Sequence, residues 1–185
     1  MQLLFNSDDN LRQFTDEQEQ FVHNKLGGIQ AIVVRGDAEV QKALADPSVH
    51  EIQGVRTLLM HGDTLCTDDV DYQNWRRIAR SEAWQREFLS KSLPERRRAI
   101  VGMREQGKEA VRAKPAEIMD VNDAAVAEAM RAHAVTRLVH GHTHRPGRHA
   151  LTIDGRPAER WVLPDWYGRG GYLEIGRGAP KLVRF

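Results

Sequence analysis

The stretch that decides the fold reads Arg137-Leu138-Val139-His140-Gly141-His142-Thr143-His144-Arg145-Pro146. Its first residues are apolar and partly β-branched, which predicts a buried strand that stops at Gly141. Imidazoles follow at alternate positions, and residues two apart in an extended backbone point to the same side. We therefore expect His142 and His144 to direct ring nitrogens at one divalent metal ion.

Other strands of the chain end in a similar way. Residues 55–60 form an apolar run followed by His61-Gly62-Asp63, and the short runs near 3–6 and 30–34 lead to Asp8 and Asp37. Open α/β folds collect their ligands at the carboxyl ends of strands, so we expect the four strand ends to share one edge of a sheet. Two simpler interpretations stay open: an isolated His-x-His pair is usually a packing or surface feature, and a helix N-cap is the default interpretation of the acidic residues at Asp8.

Composition indicates one domain with a sizeable core. The chain has 185 residues, of which 41% are hydrophobic and 29% charged. No apolar run approaches the roughly 20 residues of a membrane span, and the first residues lack the basic region of a secretory signal. The single cysteine, Cys66, excludes an internal disulfide, fits a reducing cytoplasm and is expected to be buried.

Charge is distributed unevenly along the chain. Residues 1–60 hold five Lys or Arg and nine Asp or Glu (5 − 9 = −4), whereas residues 76–114 hold twelve and five (12 − 5 = +7). The basic block favours an anionic partner such as a phosphate, a nucleic acid or an acidic membrane surface, although an ordinary solvated helical face is an equal alternative. Trp75 and Trp84 accompany no nucleic-acid recognition motif, so we expect no nucleic-acid partner.

Hydrophobic periodicity predicts the remaining elements. Residues 73–114 are expected to be helical with an interruption at Pro94, and Pro115 to open a helix over Ala116–Ala134. An edge segment is expected at Val49–Gln53. The C-terminal part is predicted to form antiparallel strands at Arg160–Leu163, Gly171–Ile175 and Lys181–Phe185. Strands alternating with helices indicate an α/β layered fold.

Three longer motifs carry a family resemblance. Residues 59–69 (Leu-Met-His-Gly-Asp-Thr-Leu-Cys-Thr-Asp-Asp), 118–122 (Ile-Met-Asp-Val-Asn) and 140–146 (His-Gly-His-Thr-His-Arg-Pro) together resemble the UDP-2,3-diacylglucosamine hydrolase family of calcineurin-like metallophosphoesterases. The resemblance covers residues 55–185. It implies a single metallophosphoesterase domain over residues 1–185, a β-sandwich flanked by helices in αββα layers with an incomplete N-terminal sheet. Residues 73–114 would be a helical lid inserted in this domain.

The same resemblance implies a function and a site. The expected reaction is manganese-dependent hydrolysis of the UDP-2,3-diacylglucosamine pyrophosphate to UMP and 2,3-diacylglucosamine 1-phosphate, in lipid A biosynthesis, at the cytoplasmic face of the bacterial inner membrane. The enzyme would be peripheral to that membrane, without an obligate protein partner. Two Mn2+ ions are implied, and their ligands correspond to Asp8, Asp37, His61, His142 and His144, with His142 and Asp37 as the catalytic residues. Positions expected to contact the substrate are Asp69, Tyr72, Arg104, Lys114 and His142.

The N-terminal third departs from the family pattern. Asn10 stands where a metal-binding histidine is expected, and an amide oxygen is a weaker ligand for a borderline metal. Asp37 fits the bridging carboxylate of one motif, or is a remnant of a later Gly-Asn-Arg-Asp motif that otherwise has no counterpart. A shortened, catalytically impaired pseudoenzyme that binds lipid or metal is therefore the alternative. Assistance to the leaving group is open between His140 and the Lys and Arg side chains.

Overall fold

The computed structural model describes residues 2–6, 30–34, 46–115, 117–165, 170–176 and 178–184. Its contacts divide the chain into two units, Met1–Asp63 with Asp123–Phe185, and Thr64–Asn122. We call them the sheet unit and the helical unit. The helical unit contains the segment 73–114, whose role as a lid stays a prediction.

The sheet unit contains two sheets. One has the order β2-β1-β8-β9 and the other β3-β4-β5-β7-β6. The strands of the first sheet are β1 (Gln2–Asn6), β2 (Gln30–Val34), β8 (Gly171–Ile175) and β9 (Lys181–Arg184). Those of the second are β3 (Ser48–Ile52), β4 (Val55–Met60), β5 (Arg137–His140), β6 (Gly147–Ile153) and β7 (Arg156–Val162). The predicted α/β class with two sheets is confirmed.

A shared core joins the two sheets. Leu59, Val139 and Trp161 from the second sheet pack with Leu173 and Ile175 from the first, and all of these side chains are buried. The central strand β5 is buried at every position because parallel neighbours, β4 and β7, flank it on both sides. Two of its four residues, Leu138 and Val139, are apolar and fully buried.

The expectation that four strand ends share one sheet edge is wrong. β1 and β2 pair with each other in the first sheet, whereas β4 and β5 are parallel neighbours in the second. Hydrophobic runs predict strands, but they do not say which strands pair. The ends of β4 and β5, which lead to His61 and His142, are therefore neighbours in one sheet, and the ends of β1 and β2 are neighbours in the other.

One strand is not predicted from the sequence, and another strand is longer than predicted. Residues 147–153 form β6, which pairs with β7 in an antiparallel hairpin. Its turn is Asp154-Gly155, where both residues have positive φ (51° and 76°), as a tight hairpin turn requires. β7 starts at Arg156 rather than at residue 160, and it pairs in parallel with β5 on its other side.

The helical unit contains α1 (Val70–Ala79), α2 (Glu82–Ser90) and α3 (Leu93–Ala113). The predicted interruption at Pro94 is misplaced, because Pro94 lies in the first turn of α3. A backbone N–H in the first turn has no acceptor within the helix, so proline, which lacks this N–H, loses no hydrogen bond at that position. The breaks fall instead at Arg80-Ser81 and Lys91-Ser92, where Ser81 accepts a hydrogen bond from the Trp84 N–H (3.3 Å) and the Ser92 N–H donates to Glu95 Oε2 (2.8 Å).

The helix predicted over Ala116–Ala134 is shorter than expected. A single 3-10 turn spans Glu117–Met119, and α4 covers Asp123–Ala132 with Val126 and Met130 buried. The N–H of Asn122 donates to the Leu65 carbonyl (2.8 Å), and its side-chain amide donates to Asp68 (3.0 Å). These bonds tie the segment before α4 to the loop at 65–68, so it does not continue a helix.

Candidate metal centre

The centre is built where β4 and β5 end side by side. Met60 pairs with His140 in the parallel register, so His61 and Gly141 follow at the same level of the sheet. The N–H of Gly141 donates to the His61 carbonyl at 3.0 Å. This bond continues the strand pairing by one step and fixes the two turns to each other.

Two imidazoles meet at this edge. The ring centroids of His61 and His142 are 4.8 Å apart, with the ring planes inclined at 59°. His61 is buried, and His142 is half-buried. The predicted juxtaposition of these two strand ends is confirmed, and it provides two nitrogen donors of the type that a borderline divalent metal prefers.

The reasoning from an extended backbone fails for His142 and His144. Both residues have positive φ, 66° and 53°, a left-handed conformation that non-glycine residues rarely adopt and that is concentrated at functional sites. His144 Nδ1 lies 3.8 Å from Asp165 Oδ2. Alternation along a strand therefore does not explain where these two rings point.

A buried carboxylate lies beside the His61 ring. Asp63 Oδ1 lies 2.9 Å from His61 Nδ1, and each side chain is no more than 2% exposed. Histidine ligands commonly donate one ring N–H to a carboxylate, which fixes the tautomer and makes the other nitrogen the metal ligand. On the backbone side, the His61 N–H donates to Asp46 Oδ1 at 2.9 Å.

His140 is fully buried and lies against the turns at 61–63 and 141–142. Its Nε2 lies 3.1 Å from Arg160 Nη1, and its Nδ1 lies 2.8 Å from the Gly141 carbonyl oxygen. A guanidinium only donates, so Nε2 accepts and Nδ1 carries the proton given to Gly141. Because both nitrogens are engaged and the ring is buried, His140 is unsuited to assist a leaving group.

Gly62 makes room for the His140 ring. Its φ is +104°, and a Cβ built at this position would lie 2.7 Å from His140 Nδ1. A side chain at residue 62 would therefore clash with a buried ring as well as strain the backbone.

The structure describes some of the remaining predicted metal ligands and not others. Within the described ranges, no three His, Cys, Asp or Glu side chains form one group suited to a metal, so His144 does not join His61 and His142 in such a group. Asp8, Asn10 and Asp37 lie outside the described residues. The donor chemistry present, two imidazoles backed by a carboxylate, fits part of a divalent-metal site. Metal ligation by His61, His142, His144, Asp8 and Asp37 stays a prediction.

In the helical unit, three residues predicted to contact substrate lie together. Asp69 caps α1: its Oδ1 accepts from the Tyr72 N–H at 3.0 Å and from Lys114 Nζ at 2.5 Å. Asp69 is 7% exposed, and the Lys114 side chain is 16% exposed. The side chain of Arg104, the fourth predicted contact in this unit, lies outside what the structure describes.

Sequence reasoning assigned no role to three residues of the centre: Asp46, Asp63 and Arg160. Asp63 follows His61 at a spacing of two, which is a signal that could have been used. Arg160 is a charge in the otherwise apolar run that leads to Leu163, and it is only 6% exposed. Asp46 is 15 residues from His61, and no local pattern connects the two.

Comparison with known proteins gives a consistent set of relatives. The chain is 46% identical over 145 residues to the UDP-2,3-diacylglucosamine hydrolase of Aromatoleum aromaticum, covering 78% of this chain and 59% of that protein. It is 50% identical over 147 residues to the protein of the same name from Bordetella pertussis, covering 76% and 57%. The chain thus spans less than two thirds of the length of these relatives.

No protein-family model matches the chain. A Vps29 crystal structure with zinc from Entamoeba histolytica covers 99% of this chain and 98% of its own, at 13% identity and a TM-score of 0.44, which is too low to support an argument. Over about three quarters of its length, the chain is therefore similar in sequence to proteins named UDP-2,3-diacylglucosamine hydrolase.

Proposed function

We propose that this chain is a metal-dependent hydrolase that cleaves the pyrophosphate of UDP-2,3-diacylglucosamine, releasing UMP and 2,3-diacylglucosamine 1-phosphate. The observation that carries the proposal is the His61–His142 pair at adjacent strand ends, with Asp63 behind His61. Relatives of 46–50% identity that bear the hydrolase name support the choice of substrate.

Each residue has a defined part in this proposal. His61, His142 and His144 would hold divalent cations together with Asp8 and Asp37, and manganese is the cation that we propose. When bound, such cations supply Lewis-acid activation and stabilise negative charge at the attacked phosphorus. Lys114, Asp69, Tyr72 and Arg104 would contact the sugar, phosphate or acyl part of the substrate, with the Lys114 ammonium offsetting phosphate charge.

The test is release of UMP by the purified chain in the presence of Mn2+. We expect wild-type protein to release UMP and His142→Ala to release none. The exposed His149 on β6 gives the matched control, and His149→Ala should retain full activity. Tight Mn2+ binding without UMP release from wild-type protein would instead favour the catalytically impaired form.

We also propose that the helical unit brings the enzyme to an anionic membrane surface, in keeping with a lipid substrate. Large apolar side chains that are exposed in the described part of the chain lie in this unit, namely Val70, Trp75, Ile78, Leu89, Leu93, Val101 and Val111. They share it with the basic block 76–114, and apolar groups beside Lys and Arg suit an acidic lipid interface. No described helix is long and apolar enough to span a bilayer.

Cosedimentation with lipid vesicles tests this second part. We expect binding to vesicles that contain anionic phospholipid, weakened by salt, and little binding to purely zwitterionic vesicles. Leu93→Ser should reduce the bound fraction. Equal binding to both kinds of vesicle would contradict the electrostatic part of the proposal.

A further inference from the structure

We propose that Arg160 and His140 are positioning residues, which hold the turns at 61–63 and 141–142 at the spacing that a shared divalent cation requires. The inference deepens the proposed metal-dependent function and rests on it. Neither residue is expected to touch the substrate or the metal.

A continuous series of hydrogen bonds links the two turns. Arg160 Nη1 donates to His140 Nε2 (3.1 Å), His140 Nδ1 donates to the Gly141 carbonyl (2.8 Å), and the Gly141 N–H donates to the His61 carbonyl (3.0 Å). Gly141 directly precedes His142. A displacement of the His140 ring therefore acts on both metal-bearing turns.

The His140 ring is also packed against the turn at 61–63, which carries His61. The Gly62 backbone lies against His140 so closely that a Cβ would come within 2.7 Å of Nδ1 and 3.1 Å of the His140 Cβ. His140 is thus hydrogen-bonded to the turn that carries His142 and packed against the turn that carries His61. The 4.8 Å separation of the two ligand rings depends on its position.

The hydrogen bond from Arg160 holds the His140 ring in one orientation. A guanidinium is unfavourable to bury, and packing alone would be served by an apolar residue such as its neighbours Trp161 and Val162. By donating to Nε2, Arg160 leaves Nδ1 as the protonated nitrogen that bonds Gly141. This arrangement also keeps Nε2 of His140 from competing with His61 and His142 for the cation.

The experiment compares variants of the full chain by Mn2+ titration without substrate, and by urea unfolding. We expect Arg160→Met to weaken Mn2+ binding about 10- to 100-fold, as loss of a group that orients a ligand typically does, and Arg160→Lys to recover part of it. Arg156→Met, at an exposed arginine of the same strand, is the control and should bind Mn2+ like wild type. Where UMP release is measurable, Arg160→Met should lower kcat with KM unchanged.

Two outcomes would overturn the inference: a folded Arg160→Met protein with wild-type Mn2+ affinity, or a wild-type chain that binds no Mn2+. If Arg160→Met does not fold, His140→Asn and His140→Leu replace it, because asparagine keeps a donor for Gly141 and leucine fills the space without one. The inference requires tighter Mn2+ binding by the asparagine variant, and equal affinities would refute it. Absence of UMP release from a wild type that binds Mn2+ would reject the proposed activity and leave this test intact.

Discussion

His61 Nδ1 and Asp63 Oδ1 lie 2.9 Å apart in a part of the sheet unit where both side chains are buried. Only Gly62 separates the two residues, so the chain must reverse within one residue to bring the carboxylate back to the ring. The positive φ of Gly62 provides that reversal. An isolated carboxylate is costly to bury, and the His61 ring is a polar group that lies within 2.9 Å of it.

Replacing Asp63 with asparagine should weaken Mn2+ binding about 10-fold or more, because an amide orients and polarises the imidazole less well than a carboxylate does. Mn2+ titration of the purified chain measures this effect. Asp71→Asn, at an exposed position in the first turn of α1, is the control and should leave Mn2+ affinity unchanged. Unaltered Mn2+ binding in a folded Asp63→Asn protein would contradict the role assigned to Asp63.

Local patterns predicted the parts of the centre that depend on short sequence spacing. Apolar runs that end in His-Gly and Gly-His indicate β4 and β5 and the histidines that follow them, and the structure places His61 and His142 together. The pairing of strands is a long-range property, however. Nothing in residues 3–6 or 30–34 alone could show that β1 and β2 belong to a different sheet from β4.

Other errors of the sequence prediction concern features for which the sequence contains a local signal. The Asp154-Gly155 pair is a strong signal for a tight hairpin turn, and it could have revealed β6. The sequence pattern predicts a break at Pro94, although proline is favourable in the first turn of a helix. Arg160 and Asp46 could not be assigned to the centre, because their roles arise only when distant strands and loops come together.

Gly62→Ala should destabilise the protein more than an ordinary glycine substitution at positive φ. The new methyl group would meet His140 Nδ1 at 2.7 Å, and overpacking of this kind costs about 1–3 kcal/mol in addition to backbone strain. Urea unfolding at equilibrium measures the change in the free energy of unfolding.

Gly54→Ala is the matched control for this substitution. Gly54 has a φ of +73°, and a Cβ there would meet nothing within 4 Å, so only the strain of about 1–2 kcal/mol applies. The difference between the two variants reports the clash with His140 together with the additional strain of the larger φ at Gly62. If both lose the same stability, the His140 ring is not packed against Gly62 as described.

Asp69 performs two functions that different substitutions separate. Asp69→Ala removes both the cap of α1 and the ion pair with Lys114, and should cost about 1–2 kcal/mol of unfolding free energy. Asp69→Asn retains the cap, because asparagine is an equally good N-cap residue, and should cost less. Urea unfolding distinguishes them.

Kinetics with UDP-2,3-diacylglucosamine then test the proposed substrate contact. A raised KM in Asp69→Asn, at nearly wild-type stability, would support a role for Asp69 and Lys114 in binding. Wild-type KM in this variant would restrict Asp69 to its structural role in the helical unit.

Glu159 is a stabilising group of the sheet unit whose contribution depends on pH. Its carboxylate accepts from Arg137 Nε at 2.6 Å and from Arg148 Nε at 2.9 Å. Burial raises the pKa of Glu159, but the hydrogen bonds and positive charges of the two arginines outweigh this effect, so its pKa in the folded state is below the usual glutamate value. A carboxyl with a lowered folded-state pKa stabilises the protein above its unfolded-state pKa, and this stabilisation is lost as the pH falls through the folded-state pKa.

Glu159→Gln should therefore cost about 1–3 kcal/mol at neutral pH, since it removes a charge-assisted acceptor from a largely buried Arg137. Urea unfolding of both proteins from about pH 8 to below the ordinary glutamate pKa of about 4.3 should show the difference shrinking at the acidic end. Glu128→Gln, which weakens an exposed 3.7 Å pair with Arg131, is the control, with an expected change below about 1 kcal/mol. A loss of stability in Glu159→Gln that stays constant over this pH range would mean that side-chain packing, rather than the ionised carboxylate, is what Glu159 contributes.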